Sequence, residues 1–270
     1  MSTKPVVIIT GAAGGIGSAT ASRFAEDGFL PVLTDIDNEG LMKTGEFLSR
    51  RKFEHSLIAG NLEDISFLEH ITANTLKKYD RIDVLVNNAA WRTRETLRTV
   101  SIEDWERTIR VCLTAPAFLT KQVANVMEEK NIQGAIVNVS SIQSFFAGGT
   151  SPAYTVCKAG LESLTYEAAV LYGPSGIRVN VVLPGAVNTA LSNDITNEEN
   201  ENVSSVFTDA MIDQTPLKRF ADREEIANVI CWLASKKSSF VTGTSVVADG
   251  GFTHNFNAYS LKKLQFPKQF

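Results

Sequence analysis

The stretch VVIITGAAGGIG, residues 6–17, decides the fold of this chain. It begins with an unbroken apolar run rich in β-branched residues, which predicts a strand buried on both faces. It continues into Gly11, Gly14, Gly15 and Gly17 and then into a helical pattern that reaches about Asp27. Glycines let the backbone approach a pyrophosphate closely, and the amide groups at the helix start then face the phosphates. The stretch therefore predicts a dinucleotide-binding turn. Because its spacing is not G-x-G-x-x-G, a tight turn without a ligand is the alternative.

A second apolar run, residues 31–34, ends in Asp35. An acidic residue about 20 positions past the glycines accepts hydrogen bonds from a ribose diol and repels a 2′-phosphate. This position favours NAD over NADP as the cofactor. The alternative is that Asp35 only caps the next helix, although Asp37 fits that role better.

Strand and helix patterns alternate along the rest of the chain. We predict strands over residues 6–9, 31–34, 55–62, 83–86, 135–140, 177–183 and 245–248. After the helix that ends near Asp27, we predict helices over residues 38–52, 64–79, 101–130, 152–172 and 222–235. Pro116 is expected to kink or divide the helix that contains it. This alternation indicates an α/β fold, a single Rossmann-like domain over residues 1–270 with a doubly wound parallel sheet of about seven strands flanked by helices.

Ligands of such sheets lie beyond the carboxyl ends of the strands. The sequence places five candidate residues at those ends: Thr10, Asp35, Asn87, Ser141 and Pro184. Their shared position predicts one cleft along that edge of the sheet.

A phenol and an ammonium are paired in the predicted helix 152–172. Tyr154 and Lys158 are four residues apart and therefore share one helix face. Ser141 ends a predicted strand thirteen residues before the tyrosine, with Ser140 and Ser144 as alternatives to it. A tyrosine, a lysine and a serine that converge on one cleft form a proton-transfer site.

Composition excludes several classes of function. The 270 residues carry a formal net charge of −4, which argues against nucleic acid as a partner. The three cysteines, Cys112, Cys157 and Cys231, are far apart and in no metal-like spacing, so we expect free thiols in a reducing compartment and no metal site. The N-terminus does not resemble a signal peptide, and no run of about 18 apolar residues occurs. We expect a cytoplasmic protein with no membrane partner.

Taken together, these residues resemble the short-chain dehydrogenase/reductase family. The resemblance covers about residues 4–252 and rests on five motifs in the right order: Thr10 to Gly17, Asn87-Asn88-Ala89, Ser141, Tyr154 with Lys158, and Pro184-Gly185. It implies reversible hydride transfer between a nicotinamide cofactor and an alcohol or carbonyl group.

The resemblance also implies roles for individual residues. Tyr154 would be the acid/base, Ser141 would hydrogen-bond the substrate oxygen, and Lys158 would bind the nicotinamide ribose and favour the ionised phenol. The cofactor would also contact residues in the glycine turn and at four strand ends: Thr10, Gly11, Gly14, Gly15, Ile16, Gly17, Asp35, Asn61, Leu62, Asn87, Asn88, Ala89, Pro184, Gly185, Val187 and Thr189.

Two positions depart from the family pattern. Asn61 stands where the family usually has an aspartate beside the adenine, and an amide oxygen can still accept a hydrogen bond there. Cys112 stands where the family usually has an asparagine that holds a water in the proton relay. A thiol is a poor hydrogen-bonding substitute, so we expect a rearranged or slower relay with Cys112 as its fourth member.

The substrate is less well determined by the sequence. Arg94, with Arg92 nearby, follows the fourth predicted strand and can hold a carboxylate or phosphate, although a surface arginine paired with Glu95 or Glu103 is the alternative. Gln143 beside the aromatic residues Trp91, Phe145 and Phe146 suits a polyhydroxylated ring. We therefore expect a small-molecule substrate, a sugar or sugar acid, and a role in carbohydrate metabolism. A hydrophobic alcohol of steroid or lipid type, or a weakly catalytic NAD-binding regulatory protein, are the alternatives.

Two segments lie outside the predicted core. Residues 190–215 are polar and acidic and are expected to form a mobile substrate lid, with a solvated loop as the alternative. Residues 254–270 form an aromatic and basic C-terminal tail that either frays or packs on a neighbouring subunit. The resemblance implies a homotetramer paired through helices 112–130 and 152–172, and we expect the tail to contribute to its assembly.

Overall fold

The computed structural model describes residues 4–189, 195–197, 199 and 201–270. It contains one seven-stranded sheet in the order β3-β2-β1-β4-β5-β6-β7, and every pair of neighbours is parallel. The strands are β1 Val6–Thr10, β2 Leu30–Asp35, β3 Ser56–Ala59, β4 Val84–Asn87, β5 Ala135–Val139, β6 Arg178–Pro184 and β7 Ser245–Ala248. The predicted α/β fold, one Rossmann-like parallel sheet flanked by helices, is confirmed.

Helices cover both faces of this sheet. They are α1 Gly15–Glu26, α2 Asn38–Arg50, α3 Ile65–Tyr79, α4 Ile102–Ile109, α5 Ala115–Glu129, α6 Pro152–Tyr172, α7 Ser204–Gln214, α8 Arg223–Ala234 and α9 Tyr259–Gln265. No helix among the described residues combines the length and apolar character needed to cross a membrane.

The central strand β1 explains the two-sided core. Val6 and Ile8 pack into a cluster with side chains of α3, α5 and α6. Val7 and Ile9 pack into a second cluster with side chains of α1, α2 and α8. Successive side chains of a strand point to opposite faces, so an unbroken apolar strand needs helices on both sides.

The long predicted helix 101–130 contains an irregular turn. A π-helical segment, Arg110–Thr114, joins α4 to α5, and the amide of Ala115 donates to the carbonyl of Arg110. Pro116 follows at once and has no amide to donate, so the regular hydrogen-bond ladder cannot run through this point. The predicted division at Pro116 is confirmed, and it takes the form of a π turn that contains Cys112.

The structure differs from the sequence predictions in three other segments: one strand, the predicted lid and the C-terminal tail. Strand β3 is shorter than the predicted 55–62. The predicted lid, residues 190–215, contains helix α7, although its residues 190–194, 198 and 200 lie outside the described part of the chain. The tail contains helix α9, which packs on α7 of the same chain.

Polar contacts anchor this tail. The Asp213 carboxylate accepts hydrogen bonds from the amide and hydroxyl of Ser260, at 3.2 and 2.6 Å. The Lys218 ammonium lies 3.6 Å from the ring centroid of Tyr259. These contacts join segments that are distant in the chain and involve polar side chains. They leave no periodic apolar pattern, so the sequence did not indicate them.

Candidate active site

The cleft begins where β1 and β4 lie side by side, the point at which the strand order reverses. The Thr10 hydroxyl accepts hydrogen bonds from the amides of Asn88 and Ala89, both at 3.0 Å. The Asn88 side chain donates to the carbonyls of Thr10 and Gly11, at 2.9 and 3.0 Å. These bonds tie the glycine turn to the loop after β4.

Glycine is required at two positions of the turn. A Cβ on Gly17 would lie 2.0 Å from the carbonyl oxygen of Gly11. Gly11 itself has a φ of +68°, and a Cβ there would lie 2.7 Å from the Cα of Ala89. Gly14, at the start of α1, has no described atom within 4 Å of an added Cβ. The turn is therefore packed on its inner side and open beside the first helix amides, a shape that fits a pyrophosphate.

Asp35 lies at the end of β2 beside this turn. Its carboxylate accepts hydrogen bonds from the amides of Ala13, at 2.9 Å, and Asp37, at 3.0 Å. Asp37, and not Asp35, caps α2, because its side chain accepts from the amide of Gly40. Asp35 is therefore available at the position where a ribose diol would meet the second strand.

Two predicted cofactor residues near the other strand ends already have polar partners. The Asn61 side chain bonds to Glu63, with its oxygen accepting from the Glu63 amide at 3.0 Å. The Asn87 side chain is buried and its amide nitrogen donates to Asn138 at 2.8 Å, whereas its amide oxygen has no hydrogen-bond partner among the described residues. Leu62 belongs to the core cluster of α3, α5 and α6.

The segment after β6 closes the turn from the other side. β6 ends at Pro184, and the amide of Gly185 donates to the carbonyl of Ala248. Val187 is buried in the second core cluster, against which Ile16 also packs. The Thr189 methyl group lies 3.5 Å from the Cβ position of Gly15. The structure thus brings the predicted residues after β6 to the predicted glycine turn.

Lys158 is the buried cation of the site. Only 2% of its surface is exposed, and its ammonium donates to the carbonyl of Val139 at 2.6 Å. The same ammonium lies 5.3 Å from the ring centroid of Tyr154. A positive charge beside a phenol ring favours the ionised form of that phenol over the neutral one.

The structure also separates the three candidate serines. The Ser140 hydroxyl is buried and donates to the carbonyl of Lys158 at 2.9 Å. The Ser144 hydroxyl is buried as well. Ser141 follows β5, is partly exposed, and accepts a hydrogen bond from the amide of Gln143 at 3.1 Å. The structure thus engages Ser140 internally. Of the other two serines, which are both partly exposed as residues, Ser141 is the one that lies nearer the end of β5.

Cys112 does not hydrogen-bond to the lysine. Its thiol is fully buried in the π turn, donates to the carbonyl of Trp91 and accepts from the amide of Trp91, both at 3.3 Å. Burial raises the pKa of the Cys112 thiol, and the positive charge of Lys158 offsets part of this rise. The thiol thus stays protonated near neutral pH. Its two hydrogen bonds to Trp91 connect the loop after β4 to the π turn between α4 and α5.

The two arginines after β4 have different surroundings. The guanidinium carbon of Arg92 lies 5.3 Å from the ring centroid of Tyr154, and the side chain is partly buried. Arg94, the arginine we predicted to bind substrate, is exposed. The contact of Arg92 with the tyrosine was not predicted, because it depends on how the loop is folded rather than on spacing in the sequence.

Gln143 and the aromatic residues complete the surroundings of Ser141. The amide oxygen of Gln143 is buried and has no hydrogen-bond partner among the described residues. The ring of Phe146 meets that of Phe252 edge to face, with centroids 5.6 Å apart. A buried acceptor without a partner is uncommon and marks a place where a ligand hydroxyl could donate.

Comparison with known proteins extends this picture. A family model described as Enoyl-(Acyl carrier protein) reductase matches residues 11–253. The 3-oxoacyl-[acyl-carrier-protein] reductase FabG of Thermotoga maritima is 35% identical over 249 residues, which is 91% of this chain and 96% of that protein. Glucose 1-dehydrogenase 2 of Bacillus subtilis is 29% identical over 253 residues, 93% of this chain and 95% of that protein.

A solved structure gives the same answer. The crystal structure of gox2181, 26% identical, superposes with a TM-score of 0.84 and covers 93% of this chain and 96% of that one. Agreement of this extent among a family model, curated relatives and a solved structure shows that the chain belongs to the short-chain dehydrogenase/reductase family of oxidoreductases.

Proposed function

We propose that this oxidoreductase is an NAD-dependent dehydrogenase that acts on a secondary alcohol or the matching carbonyl compound, most suitably a sugar or sugar acid. The observation that carries this proposal is the buried Lys158 ammonium, bonded to Val139 and facing the ring of Tyr154. The glycine turn and Asp35 would hold NAD, which would supply the hydride acceptor. The phenol oxygen of Tyr154 takes the hydroxyl proton, Ser141 hydrogen-bonds the substrate oxygen, and Lys158 stabilises the charge on the phenol.

The choice of NAD rests on Asp35. Its carboxylate is held at the end of β2 by two backbone amides, next to the glycine turn. A carboxylate there accepts hydrogen bonds from a ribose diol and repels a 2′-phosphate. The test is absorbance at 340 nm with NAD and with NADP, using a panel of sugars, sugar acids and secondary alcohols. Faster turnover with NADP, or no turnover with any alcohol, contradicts the proposal.

A hydrophobic alcohol is the second candidate substrate. Phe145 and Phe146 are 55% and 46% exposed, and Phe146 contacts Phe252 beside the turn that carries Ser141. Exposed aromatic side chains favour an apolar ligand as well as a sugar ring. Steroid-like and long-chain alcohols therefore belong in the same panel. A third alternative, a weakly catalytic regulatory protein, requires NAD binding without turnover of any of these compounds.

We also propose a cytoplasmic homotetramer. The three described cysteines are free, as suits a reducing compartment. Helix α6 exposes apolar side chains along one side, with Val170 and Leu171 78% and 62% exposed. Contiguous exposed apolar surface is typical of subunit contacts. Light scattering of the full chain and of a chain ending at Asn255 tests both assembly and the predicted role of the tail, and an unchanged tetramer contradicts that role.

A further inference from the structure

Among residues 4–189, 195–197, 199 and 201–270, no carboxylate pairs with the side chain of Arg92. Most other arginines of the described chain pair with an acidic side chain: Arg23, Arg50, Arg51, Arg81, Arg107, Arg110, Arg219 and Arg223. Arg178, which is half-buried, donates to several carbonyl oxygens instead. For Arg92, the contact found within the described residues is the face of the Tyr154 ring. A partly buried guanidinium without a counter-charge is an attractive partner for an anion.

The position of Arg92 is fixed by its neighbours in the chain. Trp91 is held by the Cys112 thiol through both its amide and its carbonyl. The Arg107 guanidinium covers the Trp91 ring at 4.4 Å and is itself bonded to Glu63. The residue that follows Trp91 therefore starts from an anchored backbone. A group held in place before the ligand arrives loses less entropy on binding.

The contact with Tyr154 determines where an anion would lie. Tyr154 is the residue that exchanges a proton with the reacting oxygen in the proposed function, so a group bound by Arg92 lies close to the reacting carbon. The Lys158 ammonium is at the same distance from the ring, but it is 2% exposed and donates to Val139. Arg92 is thus the cation beside the tyrosine with room to meet a substrate.

We propose that Arg92 binds a carboxylate of the substrate, and that the substrate is therefore a hydroxy acid, or the matching oxo acid, with its carboxylate near the reacting carbon. This inference rests on the proposed function and narrows it. It also assigns anion recognition to Arg92 in place of Arg94. The geometry of a guanidinium allows two parallel hydrogen bonds to a carboxylate, which an ester or amide cannot match.

The test compares acids with their neutral amides. Lactate, 3-hydroxybutyrate and gluconate are assayed beside lactamide, 3-hydroxybutyramide and gluconamide, and glycerol 3-phosphate beside glycerol. We expect Arg92→Met to lower kcat/KM for the accepted acid by about 100-fold, mainly through KM, and for its amide by less than about threefold. Arg98→Met, at an exposed position of the same loop, should leave both unchanged.

Three kinetic outcomes overturn the inference. An equal loss for acid and amide would mean that Arg92 acts on Tyr154 and not on the substrate. A loss confined to glycerol 3-phosphate would assign the site to phosphate, and a larger acid-specific loss in Arg94→Met would return the role to Arg94.

Calorimetric titration of the NAD-loaded protein with the same acids separates this inference from the proposed function. If no alcohol is oxidised but acids bind and Arg92→Met abolishes that binding, the proposed function fails and the carboxylate site stands. If no acid binds to the unaltered protein, the carboxylate site fails.

Discussion

At the scale of single residues, helix α6 offers a matched pair of tyrosines. Tyr154 faces the Lys158 ammonium, whereas Tyr166 lies on the same helix with its hydroxyl bonded to Ser245. We expect Tyr154→Phe to lower kcat by about 100-fold or more, because the proton acceptor is removed while the helix is kept. Steady-state kinetics with NAD measure this, and Tyr166→Phe serves as the control. Retention of more than half of the activity in Tyr154→Phe would contradict the assigned role.

Cys112 offers a second residue-scale prediction. Asparagine, the residue typical of the family, has stronger hydrogen-bonding groups than a thiol but cannot keep both bonds to Trp91 with the same geometry. We expect Cys112→Asn to change kcat and the pH dependence of kcat. Cys231→Ser, a change of another buried cysteine far from the cleft, is the control. Identical kcat and pH profiles in Cys112→Asn and the unaltered protein would show that position 112 takes no part in proton transfer.

Sequence and structure agree best on the positions of those candidate site residues whose placement is local. Tyr154 and Lys158 could be predicted because an i, i+4 spacing fixes one helix face, and Ser141 because it ends an apolar strand. The contact of Arg92 with Tyr154 could not, since it depends on the Cys112 thiol bonding Trp91 across a gap of 21 positions in the chain. Polar ties between distant segments leave no periodic signal.

At the scale of elements, helix α9 is held to α7 largely through one carboxylate. The hydrogen bond from the Ser260 hydroxyl is the main cause that lowers the pKa of Asp213. We expect Asp213→Asn to release α9 and speed amide exchange over residues 259–265, as followed by hydrogen–deuterium exchange mass spectrometry. Asp209→Asn, at an exposed position of the same helix, is the control. Unchanged protection in Asp213→Asn would mean that the other contacts of the tail, such as the hydrogen bonds between Gln214 and Asn255, hold it without this carboxylate.

The same carboxylate makes tail docking depend on pH. The pKa of Asp213 is lower in the folded protein than in the unfolded chain. The stabilisation of the docked tail by the ionised carboxylate is therefore fully present above the unfolded pKa of about 4. It is lost as the pH falls through the lowered folded value. Exchange over residues 259–265 should therefore rise on acidification in the unaltered protein and should do so much less in Asp213→Asn.

Elements with a strong apolar pattern, either an unbroken run or a helical period, were predicted from the sequence. Elements without such a pattern were not. Strands β1, β2, β4, β5 and β6 are buried along nearly their whole length, and each was predicted within about two residues. Helix α7 has a single buried residue among its described positions, Ser204, and its residues were expected to belong to a mobile lid, with a solvated loop as the alternative. It packs on α9, and sequence periodicity does not report such a contact between distant segments.

At the scale of the whole molecule, the buried thiols should limit stability at alkaline pH. Burial raises the pKa of Cys157 to about 12, whereas an unfolded thiol ionises near 9. Above pH 9 the unfolded state loses protons that the folded state keeps, so the free energy of unfolding falls as the pH rises. At pH 10.5 the loss is at most about 2 kcal/mol for this thiol. Urea unfolding at pH 7.5 and 10.5 should show a smaller fall in Cys157→Ala than in the unaltered protein, and equal falls would contradict the prediction.

The tie between Thr10 and Asn88 has a consequence for how ligands influence one another. Asn88 holds the carbonyl of Gly11 in the cofactor turn, and three residues later Trp91 is held by Cys112. The short span from Asn88 to Arg92 thus connects the turn that would contact NAD to the cation that would contact a carboxylate. A movement of this span on binding of one ligand would therefore alter the affinity for the other. By thermodynamic linkage, the factor by which NAD changes the affinity for an acid must equal the factor by which that acid changes the affinity for NAD.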